Sequence, residues 1–452
     1  MLEKLARSEL LSTFFPTWLW QGREWSKWRI PKYDLYYWVN AYAHPVISTF
    51  YPSGIISSFL SQKVSLDKGF ILLVFNIILH RLFEGAGWYL LVSLWSNALI
   101  GIFGAITFTL AGYNWKQQPC FQYTIAWFPW LLLGIAKCST LLAGVSFGMI
   151  LLAGYYPIGI QIALVAGLAT IYWKCPPYWI PIGLLIGSVQ LIPFLKYLPK
   201  TIRTNKVSNI GKVPWWHFSS LVFPKAFRFY INGVGHWETS YYIGIIPLLT
   251  IWYTTSRAVV LVILATWLML GLFSRHLPRI PARWSFTFQF SLIWCALSGL
   301  NNLNLPNTVL FLLCLIQAFD LLTNNLDLLI IRPYSELWNR PSHAFNTRLT
   351  RFLEAESTKK GIYRVSGLPY PLFTGHVNRI RTLGYSGGMQ LKLMAKWRND
   401  NNPDGGGAHD FFKGGGNPDD LTRYRVKFAY CASQPLNWER TDIPRLWRNP
   451  KV

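Results

Sequence analysis

Charge is the scarcest commodity in this chain. Only 14% of its 452 residues are Asp, Glu, Lys or Arg, against roughly a quarter in ordinary soluble proteins. Acids are fewest, with 19 Asp and Glu against 43 Lys and Arg. A large soluble core is excluded, because the apolar runs are too long and too free of charge. Cysteine is sparse too. The six thiols, Cys120, Cys138, Cys175, Cys295, Cys314 and Cys431, include no C-x-x-C pair, which removes the usual zinc and redox motifs. No G-x-x-x-x-G-K-[ST] or H-E-x-x-H occurs, so nucleotide-loop and zinc-peptidase chemistries lack their signatures. Residues Met1 to Phe15 mix charge with leucine and hold neither a long apolar core nor a small-residue cleavage site, so no signal peptide is read there.

What is abundant points to a membrane. Hydrophobic residues make up 52% and aromatics 17%, with 23 Trp. Trp and Tyr favour the membrane–water interface, where an amphipathic ring keeps one end dry and one wet. The formal net charge of +24 is then read as Lys and Arg flanking apolar spans beside anionic headgroups. No recognition motif accompanies it, so nucleic acid is not expected as a partner.

The composition divides the chain in three. Residues 1–68 are rich in aromatics, proline and charge, as in a loop-rich outer segment at a membrane surface. Residues 69–331 carry the apolar runs. Phe70–Leu79 and Gly85–Trp95 flank His80, Arg81 and Glu84, which predicts one helix with a polar collar or a helical hairpin. Leu99–Leu110 and Tyr123–Ala136 are short for spanning. Leu141–Tyr172 is interrupted at Tyr155-Tyr156-Pro157, where proline ends or kinks a helix. Further runs are Tyr178–Leu195, Tyr241–Tyr253, Ala258–Phe273, Phe286–Leu300 and Val309–Ile331. The expectation is a mainly α, multipass transmembrane bundle of roughly eight to ten membrane helices. Residues 332–452 are basic and glycine-rich, and Arg423–Ala429 alternates like a strand. They predict a small C-terminal α+β soluble domain.

Candidate chemistry sits at the edges of the apolar runs. Glu24 lies in Q-G-R-E-W, Asp34 in P-K-Y-D-L-Y-Y-W, and Glu238 in His236-Trp237-Glu238 just before Tyr241. A carboxylate at a membrane boundary can act as general base toward a hydroxyl, because partial desolvation raises its pKa. The alternative is a solvated loop acid, or one paired with a nearby Arg. Arg279 and Arg283, in R-I-P-A-R-W, can hold a phosphate by charge-assisted bonds or simply anchor a membrane edge. Asp404, Asp410, Asp419 and Asp420 fit no EF-hand order, and their glycine neighbours read as a flexible loop. No cofactor or metal site is assigned, and dependence on a divalent metal is left open.

The order of these features resembles the YfhO family of bacterial multipass proteins, within the GT-C class of membrane glycosyltransferases. R-I-P-K-Y-D-L-Y-Y-W and A-H-P-V-I-S-T-F-Y-P are similar to its first outer loop, and Ala126–Trp130 to its interfacial A-W-x-P segment. Ala153-Gly154 through Pro157 with Gln161, and Gln190-Leu191-Ile192-Pro193, resemble further family strings. Glu238 followed by Tyr242-Ile243-Gly244 and Pro247 resembles the family's Glu and Tyr-Ile-Gly-x-x-Pro. Arg279–Arg283 resembles its Arg-x-Pro-Ala-Arg, and Gly384-Tyr385 with Leu421–Phe428 its late strand region. Each string alone is unspecific, and their shared order carries the likeness.

The resemblance implies a polyprenyl-phosphate-linked sugar as donor and an envelope lipid or polymer as acceptor. It implies a location in the bacterial cytoplasmic membrane, with the hydrophilic connections and the tail facing outward. Asp34, Glu24 and Glu238 are then the candidate catalytic acids, and His236, Arg279 and Arg283 the candidate substrate and phosphate ligands. One departure counts against it: GT-C enzymes carry a first membrane helix followed by an outer-loop acid, and no spanning helix is read before Gly69. A non-catalytic relative acting as scaffold is one competing expectation. A transporter or lipid-handling protein is the other. It would need ionisable groups in mid-span, whereas His80, Arg81, Glu84 and Asp320 are read as lying nearer helix ends.

Overall fold

A computed structural model describes residues 15–31, 48–64, 66–112, 119–197, 213–223, 241–255, 258–270 and 284–325. It also describes five short strands between 364 and 448. The described chain is mainly helical. It divides into two compact units, one drawn from residues 1–76, 190–205 and 332–452, the other from 77–189 and 206–331.

In the first unit, α1 (Phe15–Ser26) packs on α2 (Pro52–Ser61). Both fall in the segment expected to be loop-rich, so that expectation is corrected. The reason it misleads is that α2 buries its small residues and leaves Ile56 and Leu60 exposed. It opens on Pro52, whose fixed φ suits a first helical turn, and it buries Gly54, Ser57, Ser58 and Ser61. Their hydroxyls bond back to carbonyls within the helix, Ser57 to Ser53 at 2.6 Å and Ser61 to Ser58 at 2.6 Å. Small residues let α1 come close, and a Cβ at Gly22 would collide with the Ser58 carbonyl. Gln62 Nε2 donates to Leu19 O across the pair at 3.0 Å.

The strands are β1 (Arg364–Ser366), β2 (Thr382–Leu383), β3 (Val426–Tyr430), β4 (Glu439–Arg440) and β5 (Leu446–Arg448). They order as β2-β1-β3-β5-β4. β1 pairs parallel with β2 and β3, while β5 pairs antiparallel with β3 and β4.

Helix α3 (Leu66–Val92) is continuous, so of the two expectations for this stretch the single helix holds. No proline interrupts it, and its central charges pair with each other. The chain continues with α4 (Ala98–Leu110), α5 (Pro119–Ala126), α6 (Phe128–Ala136), α7 (Thr140–Ala153), α8 (Tyr156–Tyr172) and α9 (Trp179–Tyr197). The break between α7 and α8 falls where the sequence predicts it, at Gly154 with φ 81°. After a 3-10 turn at Trp215–Leu221 come α10 (Ile245–Thr250), α11 (Val259–Leu270), α12 (Ser285–Asn302) and α13 (Asn307–Asn325). The expected apolar span Tyr241–Tyr253 is instead an extended stretch, the short α10 and a 3-10 turn.

Among the described residues, three helices are long and apolar enough to cross a membrane: Lys68–Val92, Trp179–Lys196 and Asn307–Asn324. Helix α12 is the central element, buried on nearly every side from Ser285 to Leu300. Its Phe290 joins an aromatic cluster with Trp88, Phe108 and Phe128, in which the rings of Trp88 and Phe108 stack at 3.8 Å. Such pairs add about 0.5–1.5 kcal/mol beyond their burial.

Helices α7 and α9 zip together through glycines. Gly144 and Gly148 of α7 lie against Ile182 and Ile186, while Gly183 and Gly187 of α9 lie against Phe147 and Leu151. Both partners climb in the same direction, so the two helices run parallel with an offset of 36 or 38 residues. Each helix carries G-x-x-x-G, the spacing that lets helix backbones approach where lipid offers no hydrophobic drive. A Cβ at Gly148 would stand 2.6 Å from Ile186 Cβ. Gly148→Leu is expected to lower stability by roughly 1–3 kcal/mol, as overpacking does, read as a lower thermal midpoint in detergent micelles. An unchanged midpoint would remove this contact from the account of the fold.

Candidate functional site

Helix α3 is polar inward and apolar outward. Asn76, His80, Glu84 and Trp88, four residues apart, share one buried face, with Arg81 beside them. On the opposite side Ile71, Phe75 and Leu82 are 55%, 54% and 66% exposed. This inverts the pattern of a water-soluble surface helix, and it is what a helix facing lipid requires. Midway between Lys68 and Val92, Arg81 Nη1 meets Glu84 Oε2 at 2.5 Å. Trp88 Nε1 donates to the other carboxylate oxygen at 3.3 Å. His80 lies against the ring of Tyr123 with centroids 4.5 Å apart.

These residues therefore sit in mid-helix, which corrects the expectation that they lie near helix ends. The ion pair is neutral overall, which makes its burial tolerable. It leaves Arg81 Nη2 buried without a hydrogen-bond partner among the described residues. Ionisable groups at such depth mark functional sites more often than structural ones.

A second polar cluster holds an extended segment inside the bundle. Tyr241, Tyr242, Ile243 and Gly244 belong to no helix, so their backbone groups need partners from elsewhere. Tyr242 O accepts from Gly112 N at 2.9 Å and from Gln289 Nε2 at 3.3 Å. Ile243 O accepts from Gln317 Nε2 at 2.7 Å, and that amide also donates to Thr107 Oγ1 at 3.2 Å. Asp320 takes the Tyr242 hydroxyl at 2.6 and 2.7 Å, the Ile245 N–H at 3.1 Å and Asn324 Nδ2 at 2.8 Å. Burial first, and then the Asp320 carboxyl, push the Tyr242 hydroxyl well above its ordinary range, so it donates at neutral pH. Gly244 has φ +94°, and a Cβ there would strike the Gln317 amide. Only glycine suits that turn. Asp320, near the end of α13, is thus a clamp on this segment.

Of the residues expected to carry sugar transfer, Glu24 is the one within the described residues. It lies in α1, half-buried, and its backbone carbonyl accepts from Lys27 N and Arg29 N. Its carboxyl makes no ion pair or hydrogen bond among the described residues. Asp34, His236, Glu238, Arg279 and Arg283 lie outside the described residues. Among the described residues no three His, Cys, Asp or Glu side chains gather as metal ligands.

Sequence reasoning passed over Gln289 and Gln317, which sit inside apolar helices and look like isolated polar residues. A signal was available, since a lone Gln in an apolar helix needs a partner, and an unwound segment nearby can supply one. No family model and no curated protein matches the chain.

Proposed function

We propose that the chain is a multipass membrane glycosyltransferase that moves a sugar from a polyprenyl-phosphate donor to a cell-envelope lipid or polymer. The observation that carries this reading is the treatment of Tyr242-Ile243-Gly244-x-x-Pro247. This string belongs to the family resemblance, and it is also an irregular stretch held by side chains from α12 and α13. It begins four residues after Glu238. A segment so fixed supports the idea that an acid just ahead of it is presented at a defined position.

In this reaction Asp34 or Glu24 takes the proton of the acceptor hydroxyl as its oxygen bonds the anomeric carbon. The bond from that carbon to the phosphate oxygen breaks. Arg279, Arg283 and His236 stabilise the departing phosphate, and Glu238 serves as a further acid in the site. The remaining apolar helices complete a multipass bundle in a bacterial cytoplasmic membrane. Residues 332–452 form a small outward-facing α+β domain. Asp34→Asn and Glu238→Gln are expected to abolish transfer from a panel of polyprenyl-phosphate sugars while leaving protein levels near wild type. Full activity in both variants would sink these assignments.

One observation favours a second reading, a transporter or lipid-handling protein: His80, Arg81 and Glu84 midway along a helix long enough to span. Substrate counterflow in proteoliposomes, without sugar transfer, would decide for it.

A further inference from the structure

Two turns at one end of the second unit are built alike. Helix α6 ends with Cys138 in the left-handed region at φ 48°, and α8 ends with Lys174 at φ 53°. Cys138 N bonds to Ile135 O and Ser139 N to Gly134 O; Lys174 N bonds to Ile171 O and Cys175 N to Thr170 O. Each is a Schellman closure, which satisfies the last carbonyls and fixes the chain direction. Helices α7 and α9, which follow these turns, run parallel and in contact. Their offset of 36 or 38 residues, carried back to Cys138, falls on residues 174 and 176. That brackets Cys175. The Cys175 and Cys138 thiols do interact directly. Cys138 is exposed and Cys175 buried, and neither is in a disulfide.

We propose that Cys138 and Cys175 form a reversible disulfide that ties the α6–α7 turn to the α8–α9 turn in an oxidising compartment. The oxidant is a small disulfide or a dithiol–disulfide oxidoreductase. The exposed Cys138 thiol gives up its proton, and its sulfur attacks the oxidant's S–S bond. A mixed disulfide forms and one thiol leaves. Cys175 then loses its proton and attacks the Cys138 sulfur, releasing the second thiol. Two protons and two electrons leave the protein, and the oxidant's disulfide is reduced to two thiols. The order of attack follows from access, and from burial together with the neighbouring Cys138 thiol, which push the Cys175 thiol up. The other described cysteines, Cys120, Cys295 and Cys314, are buried within helices.

The test treats the full-length protein in detergent micelles with oxidised glutathione, blocks remaining thiols with a maleimide and digests without reduction. The expected result is one cross-linked peptide pair joining Cys138 to Cys175, lost on adding dithiothreitol. Cys138→Ser, at an exposed position, is expected to leave Cys175 free to the maleimide in the unfolded protein, and Cys175→Ser to leave Cys138 carrying glutathione. If wild-type Cys138 accumulates as the glutathione adduct while Cys175 remains a free thiol, the proposal is overturned. It is equally overturned if both thiols stay free under an oxidant that links an exposed dithiol control peptide.

Discussion

Glu84→Leu is expected to destabilise the protein by roughly 3–5 kcal/mol, the cost of leaving one member of a buried ion pair without its partner. Glu84 is fully buried and Arg81 nearly so, and their contact at 2.5 Å is the single ion pair among the described residues. In the variant, Arg81 keeps its charge and loses its counter-ion, while a further guanidinium nitrogen already lacks a partner among the described residues. The measurement is the thermal midpoint in a fixed detergent or lipid, and an unchanged midpoint would mean that Arg81 does not depend on this carboxylate. The double variant Arg81→Met/Glu84→Leu is expected to recover most of the loss, because two apolar side chains of similar size need no pairing. That variant also separates roles. If the pair is purely structural, a recovered protein keeps its sugar transfer. If it is a substrate site, as the second reading holds, the recovered protein is stable but shows no counterflow.

The same ion pair shows what a sequence does and does not disclose. The apolar runs around it give the helix ends of α4, α7, α8 and α9 to within a few residues, because an apolar stretch bounded by Pro or Lys has few alternatives. The depth of Arg81 and Glu84 was not legible. Two opposite charges at i and i+3 on one face neutralise each other and let a helix run on, whereas a reading by hydropathy sees a gap. Helices α1 and α2 were missed for the opposite reason. Helix α2 buries glycine and serine, leaves Ile56 and Leu60 exposed and meets α1 at Gly22, so its apolar residues do not mark the packed face. The candidate site divides in the same way. The string Tyr242-Ile243-Gly244 stood out by resemblance, but its function as a clamped, non-helical segment depends on Gln289, Gln317 and Asp320. Those lie 47, 74 and 78 residues from their partners along the chain, so a polar residue in an apolar run signals that it needs a partner without saying which.

Asp320→Ala is expected to unfasten that segment. Asp320 serves as acceptor for the Tyr242 hydroxyl, the Ile245 N–H and the Asn324 amide at once. A buried donor left without an acceptor costs roughly 1–3 kcal/mol, and the Tyr242 side chain, only 5% exposed, has little access to water as a substitute. The thermal midpoint is therefore expected to fall. Tyr242→Phe removes the donor together with its need, so the pair Tyr242→Phe/Asp320→Ala is expected to cost less than the two single variants summed. Asp320→Asn, which keeps one acceptor oxygen, is expected to fall between wild type and Asp320→Ala. For the proposed transfer reaction, a consequence follows from the short distance in sequence between Tyr242 and Glu238. Misplacing a reacting group by about 1 Å can cost on the order of a hundredfold in rate. Assayed well below its unfolding midpoint, Asp320→Ala is expected to lose transfer mainly through kcat, because a loosened segment misorients the acid without removing the donor's contacts. Wild-type kcat in a variant with a clearly lowered midpoint would make the clamp structural only. The assignment of Glu238 would then rest on resemblance with no help from the segment that follows it.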